Sequence, residues 1–325
     1  MKGRYSALFL TFLLCISSCK LDDGDLIPVP ETNIIEIARA TAELSILVSA
    51  LERVNLVSTL EESTLYTVLA PTNSAFSNFL GQAGLSSIDD VPTETLRRIL
   101  LNHVIASRVN ADVFATLQKN YVQTFAEGPS ADSRLSLYFD ATDGIVFNGT
   151  ATVTSEDILA SNGIIHIVDQ VIALPTISTF IATDENFEDL DTAIDIVVPL
   201  TDLPDMLSEN SAGPFTIFAP VNQAFDALLD TNDDWNFISD IDETFLTSVL
   251  AHHVAEGNFR NIDFQSNNSI PSLQGDSILI GQNAGVIQLT DGSGASDIFV
   301  VIIDIQASNG VMHIVDKVML PDIEN

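Results

Sequence analysis

The sequence predicts an α+β protein made of two tandem copies of one domain. Three observations predict it. First, Asn162-Gly-Ile-Ile-His-Ile-Val-Asp169 returns as Asn309-Gly-Val-Met-His-Ile-Val-Asp316. Second, two more blocks recur in the same order at nearly the same offset. Tyr66–Phe76 matches Phe215–Phe225, with the phenylalanines 149 positions apart (225 − 76), and His103-Val104 matches His253-Val254, 150 apart (253 − 103). Third, helical periodicity fills the first half of each copy and short strand runs fill the second, the pattern of an α+β domain. A period near 150 is far longer than the roughly 20–50 of solenoid repeats, and it suits an independently folding domain.

The N-terminus comes first. Lys2 and Arg4 precede an apolar run from Ala7 to Ile16. That run is shorter than the roughly 20 residues a bilayer-spanning helix needs, so residues 1–18 read as a secretory signal. Ile16-Ser-Ser-Cys19 resembles a bacterial lipobox, which makes Cys19 the lipid acceptor and the lipid bilayer its partner. Residues 19–33, with Asp22, Asp23, Asp25, Pro28 and Pro30, form an acidic tether. Lys20 and the acids after it point to an outer-membrane lipoprotein facing outward, with a periplasm-facing anchor as the alternative.

The first domain is expected over 34–176 and the second over 177–322. Thr32 or Asn33 caps an opening helix with Ile35, Ala38 and Ala42 on one face. Leu47, Ala50, Leu51 and Val54 have the spacing of a buried helical stripe, repeated as Leu190, Ala193, Ile194 and Val197. In the second copy Pro199 and Pro204 cut that helix short. Thr183–Asp191, with its carboxylates, reads as the junction between the copies. Tyr66–Ala70 is a strand closed by Pro71, and a helix carrying Phe76, Phe79 and Leu80 follows. Val221 replaces Thr72, so Asn73 and Asn222, present in both copies, are the expected N-caps.

Thr95–Leu101 and Glu243–Leu250 are helices running into the histidine segment. Val122–Phe125, Leu135–Phe139 and Ile145–Phe147 are strand runs, with Ile278–Ile280, Val286–Leu289 and Phe299–Ile303 as counterparts. Asn162-Gly163 and Asn309-Gly310 make tight hairpins. The strand that follows has apolar residues on both faces, so it is buried on both sides.

At these blocks the chain resembles the fasciclin (FAS1) family over about residues 34–322. Tyr66–Phe76 and Asn162–Asp169, with their second-copy equivalents, resemble its two hallmark segments, and Asn102-His103-Val104 resembles its central histidine motif. The resemblance implies a β-sandwich-like wedge with helices packed at one side. It also implies adhesion or extracellular-matrix roles without enzymology. It assigns the family's Asp-Ile adhesion determinants to Asp157-Ile158 and Asp304-Ile305.

Charge and motifs narrow the function. The formal charge is −33, from 12 basic and 45 acidic residues. Nucleic acid needs a basic footprint and is excluded as a partner. Both cysteines, Cys15 and Cys19, precede the domains, so the domains have no disulfide and no thiolate metal site. His103, His166, His253 and His313 sit between apolar neighbours and read as buried, hydrogen-bonded scaffolding. Joint zinc binding by His103 and His166 lacks an evident third ligand, so neither metal nor cofactor is expected. His252, whose counterpart is Asn102, is expected to be exposed. Asp169 and Asp316 lie on the opposite strand face from their histidines. Asp230–Asp234 fails as an EF-hand, with Trp235 where glycine is required and Ile241 where glutamate is required. The reading is a non-enzymatic surface protein whose partner is a protein or a polysaccharide. Glycan capture, the alternative, needs exposed aromatics, and Trp235 and the tyrosines are few.

Overall fold

The computed structural model describes residues 30–198, 201–209, 213–265, 268–283 and 285–322. The expected signal, the Cys19 acceptor, most of the tether and Pro199 lie outside them.

The first domain begins with α1 (Ile34–Ala40), α2 (Ser45–Arg53) and α3 (Val57–Leu60). Asn33 caps α1 in a reciprocal box with Glu36. Ile35 and Ala38 are buried, but the helix ends before Ala42, which opens a separate 3-10 turn and is exposed. Leu47, Ala50, Leu51 and Val54 all point inward from α2 and its C-cap. Then come β1 (Tyr66–Pro71), α4 (Asn73–Gln82), α5 (Thr93–Asn102), β2 (Val104–Ile105) and α6 (Ala111–Leu117). Strands β3 (Lys119–Glu127), β4 (Arg134–Asp140), β5 (Val146–Phe147), β6 (Ala151–Ala160) and β7 (Gly163–Val168) complete it.

The seven strands close into a barrel in sequence order. β1 pairs parallel with β7 and antiparallel with β2. Every residue of β1 and β7 is buried. Val68, Ala70 and Ile165 face the helices, while Leu69 and Val168 face the barrel interior with Phe114, Phe139 and Phe147. Each domain thus has two cores separated by one sheet layer. Burying each large apolar side chain contributes about 1.5–3 kcal/mol.

The second domain repeats the plan with α7 (Ile177–Thr183), α8 (Glu188–Val197), α9 (Leu203–Ser208), β8 (Phe215–Pro220), α10 (Asn222–Leu229), α11 (Glu243–His252) and β9 (Val254–Glu256). Strands β10 (Ser269–Pro271), β11 (Ser277–Asn283), β12 (Val286–Thr290), β13 (Ile298–Ala307) and β14 (Gly310–Val315) follow. Here the sheet runs β10-β11-β12-β13-β14-β8-β9. Pro204 does not cut a helix; it starts α9, where its missing N–H costs nothing.

Two expectations change. The expected strand counterparts are displaced by one: β11, β12 and β13 occupy the sheet positions of β4, β5 and β6. The equivalent of β3 is the three-residue β10, with one buried residue, Ile270, and so leaves little periodic trace. Thr183–Asp191, read as the junction between the copies, is helical. It forms the end of α7, a 3-10 turn and the start of α8.

That acidic segment joins the domains by packing. Tyr121 on β3 donates its hydroxyl to Asp184 at 2.8 Å and meets Phe180 edge-on. Lys119 pairs with Asp140 and Glu185, and Tyr138 is buried in the second domain's helical core. Gln306 N–H donates to Ser136 Oγ at 3.0 Å, and Asn258 Nδ2 donates to Ser130 Oγ at 2.8 Å.

Candidate functional site

The motif histidines are fully buried, and the backbone holds both nitrogens of each. His103 ends α5. Its Nε2 accepts the Ile172 N–H at 2.9 Å, so the proton sits on Nδ1 and is donated to the Ile99 carbonyl at 2.7 Å. His253 repeats this with Met319 and Val249. Burial pushes His103 down to about 4 and His253 down to about 3, with the carbonyl bond opposing the shift in each. His166 and His313 have the other tautomer. Nδ1 accepts the N–H of Asp157 (3.3 Å) or Asp304 (3.2 Å), and Nε2–H is donated to the carbonyl of Val109 (2.9 Å) or Phe259 (2.8 Å). Burial lowers His313 as well. With both nitrogens engaged, none of the four rings has a lone pair for a metal or a proton to relay.

His252 departs from expectation. It is fully buried, like Asn102 in the first copy, because both end a helix pointing into the domain. Its Nε2 accepts the Gly292 N–H at 3.1 Å, so Nδ1–H faces Ser272 Oγ at 3.2 Å. The hydroxyl is then an acceptor, the wrong polarity for activating a serine nucleophile.

The Asp-Ile pairs sit on bulges of β6 and β13. Asp157 and Asp304 adopt left-handed backbone angles, φ 58 and 60. Their carboxylates accept the first N–H of a helical turn more than 40 residues earlier in the chain, Ala111 at 3.0 Å and Asn261 at 2.8 Å. Ile305 is buried and Ile158 half-buried. The carboxylates of Asp169 and Asp316 accept the Thr152 and Phe299 amides at 2.7 Å and do not bond to the histidines.

The hallmark asparagines do more than turn the chain. Asn73 is not the N-cap of α4; Thr72 is, through Ala75 N–H. Asn73 Oδ1 accepts Ile46 N–H at 2.9 Å and its Nδ2 donates to the Ala42 carbonyl, so it caps α2, whose own N-cap position, Leu44, has no side-chain acceptor. Asn222 caps α8 in the same way, through Asp189 N–H and the Glu185 carbonyl. This is why asparagine recurs even where Val221 replaces the capping threonine. Asn162 accepts Ile34 N–H and donates to the Leu60 and Glu62 carbonyls; Asn309 does likewise with Ile177, Met206 and Leu207.

Two clefts open beside the residues whose carbonyls receive the barrel histidines. One, of about 430 Å³, is lined by Arg108, Asn110 and Asp157. The other, of about 480 Å³, lies against the first domain's Ser130 and Ala131 and is lined by Asn258, Arg260, Asp263 and several apolar side chains. Sequence reasoning passed over both arginines. The signal was their position, each one residue from a histidine acceptor, in a chain poor in cations. Among the described residues, no group of three or more histidine, cysteine, aspartate or glutamate side chains could hold a metal.

Comparison with known proteins follows the same division. A Fasciclin domain model matches residues 42–175 and 188–321. The chain is 33% identical over 147 residues to an uncharacterized protein of Synechocystis sp., sll1735, covering 45% of this chain and 98% of that one. It is 25% identical over 259 residues to transforming growth factor-beta-induced protein ig-h3 of Sus scrofa, covering 79% of this chain and 35% of that one. The solved FAS1 domain pair of the insect cell adhesion molecule Fasciclin I aligns with a TM-score of 0.48 and 21% identity, over 84% of this chain and 92% of that one. With the model matching both copies across most of its length, the chain belongs to the fasciclin family, as two FAS1 domains in tandem.

Proposed function

We propose that the chain is a non-enzymatic adhesion or matrix-interaction protein, held at the outer membrane by lipid on Cys19 and facing outward. One observation carries this reading. The motif histidines and the motif aspartates are all bound to backbone groups within the domain, so they act as scaffold and the contact surfaces remain for function. Family membership supports the adhesive part. The Ile16-Ser-Ser-Cys19 segment supports the anchor.

A protein partner fits better than a polysaccharide. Sugar rings stack on exposed aromatics, usually tryptophan or tyrosine, but Tyr66 and Tyr138 are buried, Tyr121 is half-buried and Trp235 stacks on Phe245, which leaves the phenylalanines Phe237 and Phe299 as the exposed rings among the described residues. Deleting the gene and measuring attachment and biofilm tests the adhesive part; unchanged attachment refutes it. Cys19→Ala tests the anchor: membrane fractionation and labelling with a radioactive fatty acid should both be lost, and retention of either refutes it.

A further inference from the structure

Arg108 and Arg260 differ from every other described basic side chain. Among the described lysines and arginines, only these two make neither an ion pair nor a side-chain hydrogen bond. This is unusual in a chain with 45 acidic residues against 12 basic ones. They flank equivalent points, one before Val109 and one after Phe259, and each shares its cleft with an asparagine, Asn110 or Asn258.

The second cleft is the better developed. It lies where the two domains meet, bordered by Ser130 and Ala131. Phe259, Phe264, Ile270 and Ile280 supply apolar wall. Its volume, about 480 Å³, falls within the range of small-ligand sites. Arg260 lines it, and its Nε is buried without a hydrogen-bond partner. A buried donor left unmade is costly, so such a group marks a missing acceptor.

We propose that this interdomain cleft captures the free carboxyl terminus of a polypeptide ending in an apolar residue, with Arg260 pairing the carboxylate. The planar guanidinium fork matches a carboxylate in geometry. The apolar wall takes the last side chain, and the Asn268 amide suits the peptide group behind it. Asp263 also lines the cleft, and its charge disfavours a dianion such as phosphate or sulfate more strongly than a single carboxylate. A uronic acid would turn its hydroxyls against Phe264, Ile270 and Ile280, where they find no partner.

This inference rests on the chain being a protein-binding surface molecule. The test uses the full mature chain carrying Cys19→Ala, titrated calorimetrically with acetylated tripeptides ending in Phe, Leu, Ile or Val. Each is supplied as the free acid and as the amide. Saturable binding of at least one free acid is expected, weaker by roughly tenfold or more for its amide and in Arg260→Gln, the scale of a lost charged hydrogen bond. Circular dichroism confirms that the variant is folded. Equal binding of acid and amide, undiminished binding by Arg260→Gln, tighter binding of digalacturonate or inorganic phosphate, or no binding overturns the proposal. Attachment abolished by gene deletion but fully kept by Arg260→Gln also overturns it, and leaves the adhesion reading standing.

Discussion

Asp157 turns its backbone N–H onto Nδ1 of His166, and Asp304 does the same to His313. The relationship needs a left-handed residue on the bulge, and aspartate is among the few side chains that adopt it readily. The carboxylate then caps the helical turn that begins at Ala111 or Asn261. Asp157→Ala should cost about 2 kcal/mol, from backbone strain and the lost cap together. Asp157→Asn keeps both features and should cost under about 1 kcal/mol. Urea midpoints of the two variants measure the difference.

Asn222→Ala removes the cap of α8 and leaves the Glu185 carbonyl without its donor. A loss of about 1–2 kcal/mol is expected. Hydrogen exchange at the Asp189 amide should accelerate, and exchange in β11 should not. Asn222→Asp keeps the acceptor but not the donor and should fall between.

The neutral histidines make stability depend on acid. Burial lowers His103 to about 4 and His253 to about 3, both below the value near 6.5 of an unfolded chain. Protons therefore bind the unfolded state more readily as pH falls. Their contribution is whole above about pH 6.5 and is lost progressively toward pH 4 for His103 and pH 3 for His253, at up to about 1.4 kcal/mol per pH unit for each ring. Urea midpoints should fall across that window. The ring carbon shifts of His103 and His253 in NMR should not titrate at pH 6.

Gly163 and Gly310 tolerate no side chain. A Cβ at either would lie 2.1 Å from a backbone oxygen, that of Tyr66 or Phe215, on the neighbouring strand. Gly163→Ala should cost about 4 kcal/mol or more, in the range of severe overpacking. Gly84→Ala, at φ +68 with open space around it, should cost only about 1 kcal/mol. Thermal melts of the two variants give the contrast.

Val301, Ile302 and Ile303 are 41–56% exposed on β13, where β6 has Thr154, Ser155 and Glu156. Ile302→Ser and Ile303→Glu should therefore leave the unfolding free energy from urea titration within about 0.5 kcal/mol of the parent, as surface changes do.

The duplication, the helix-then-strand order and the buried histidine strand were legible because each leaves a periodic or repeated trace. What escaped depends on neighbours distant in sequence. Asn73 looked like a cap for its own helix, since local rules see only the next turn, whereas its amide partner is Ile46. His252 looked exposed because Asn102 is polar, yet Asn102 is buried by hydrogen bonds to Thr124 and to the Ala173 carbonyl. α6 went unnoticed because its second-copy equivalent is only a 3-10 turn, so repetition did not reinforce it. Arg260 carries no motif, and only the fold sets it in a cleft between the domains.

The parallel pairing of β1 with β7 has a mechanical consequence. The chain enters β1 at Tyr66 and leaves β7 at Val168, at opposite ends of six aligned residue pairs. Tension drawn along the polypeptide therefore loads these strands in shear, so the six pairs must yield together instead of unzipping singly. β8 and β14 are arranged alike, so each domain meets a pulling force with its most deeply covered pair of strands.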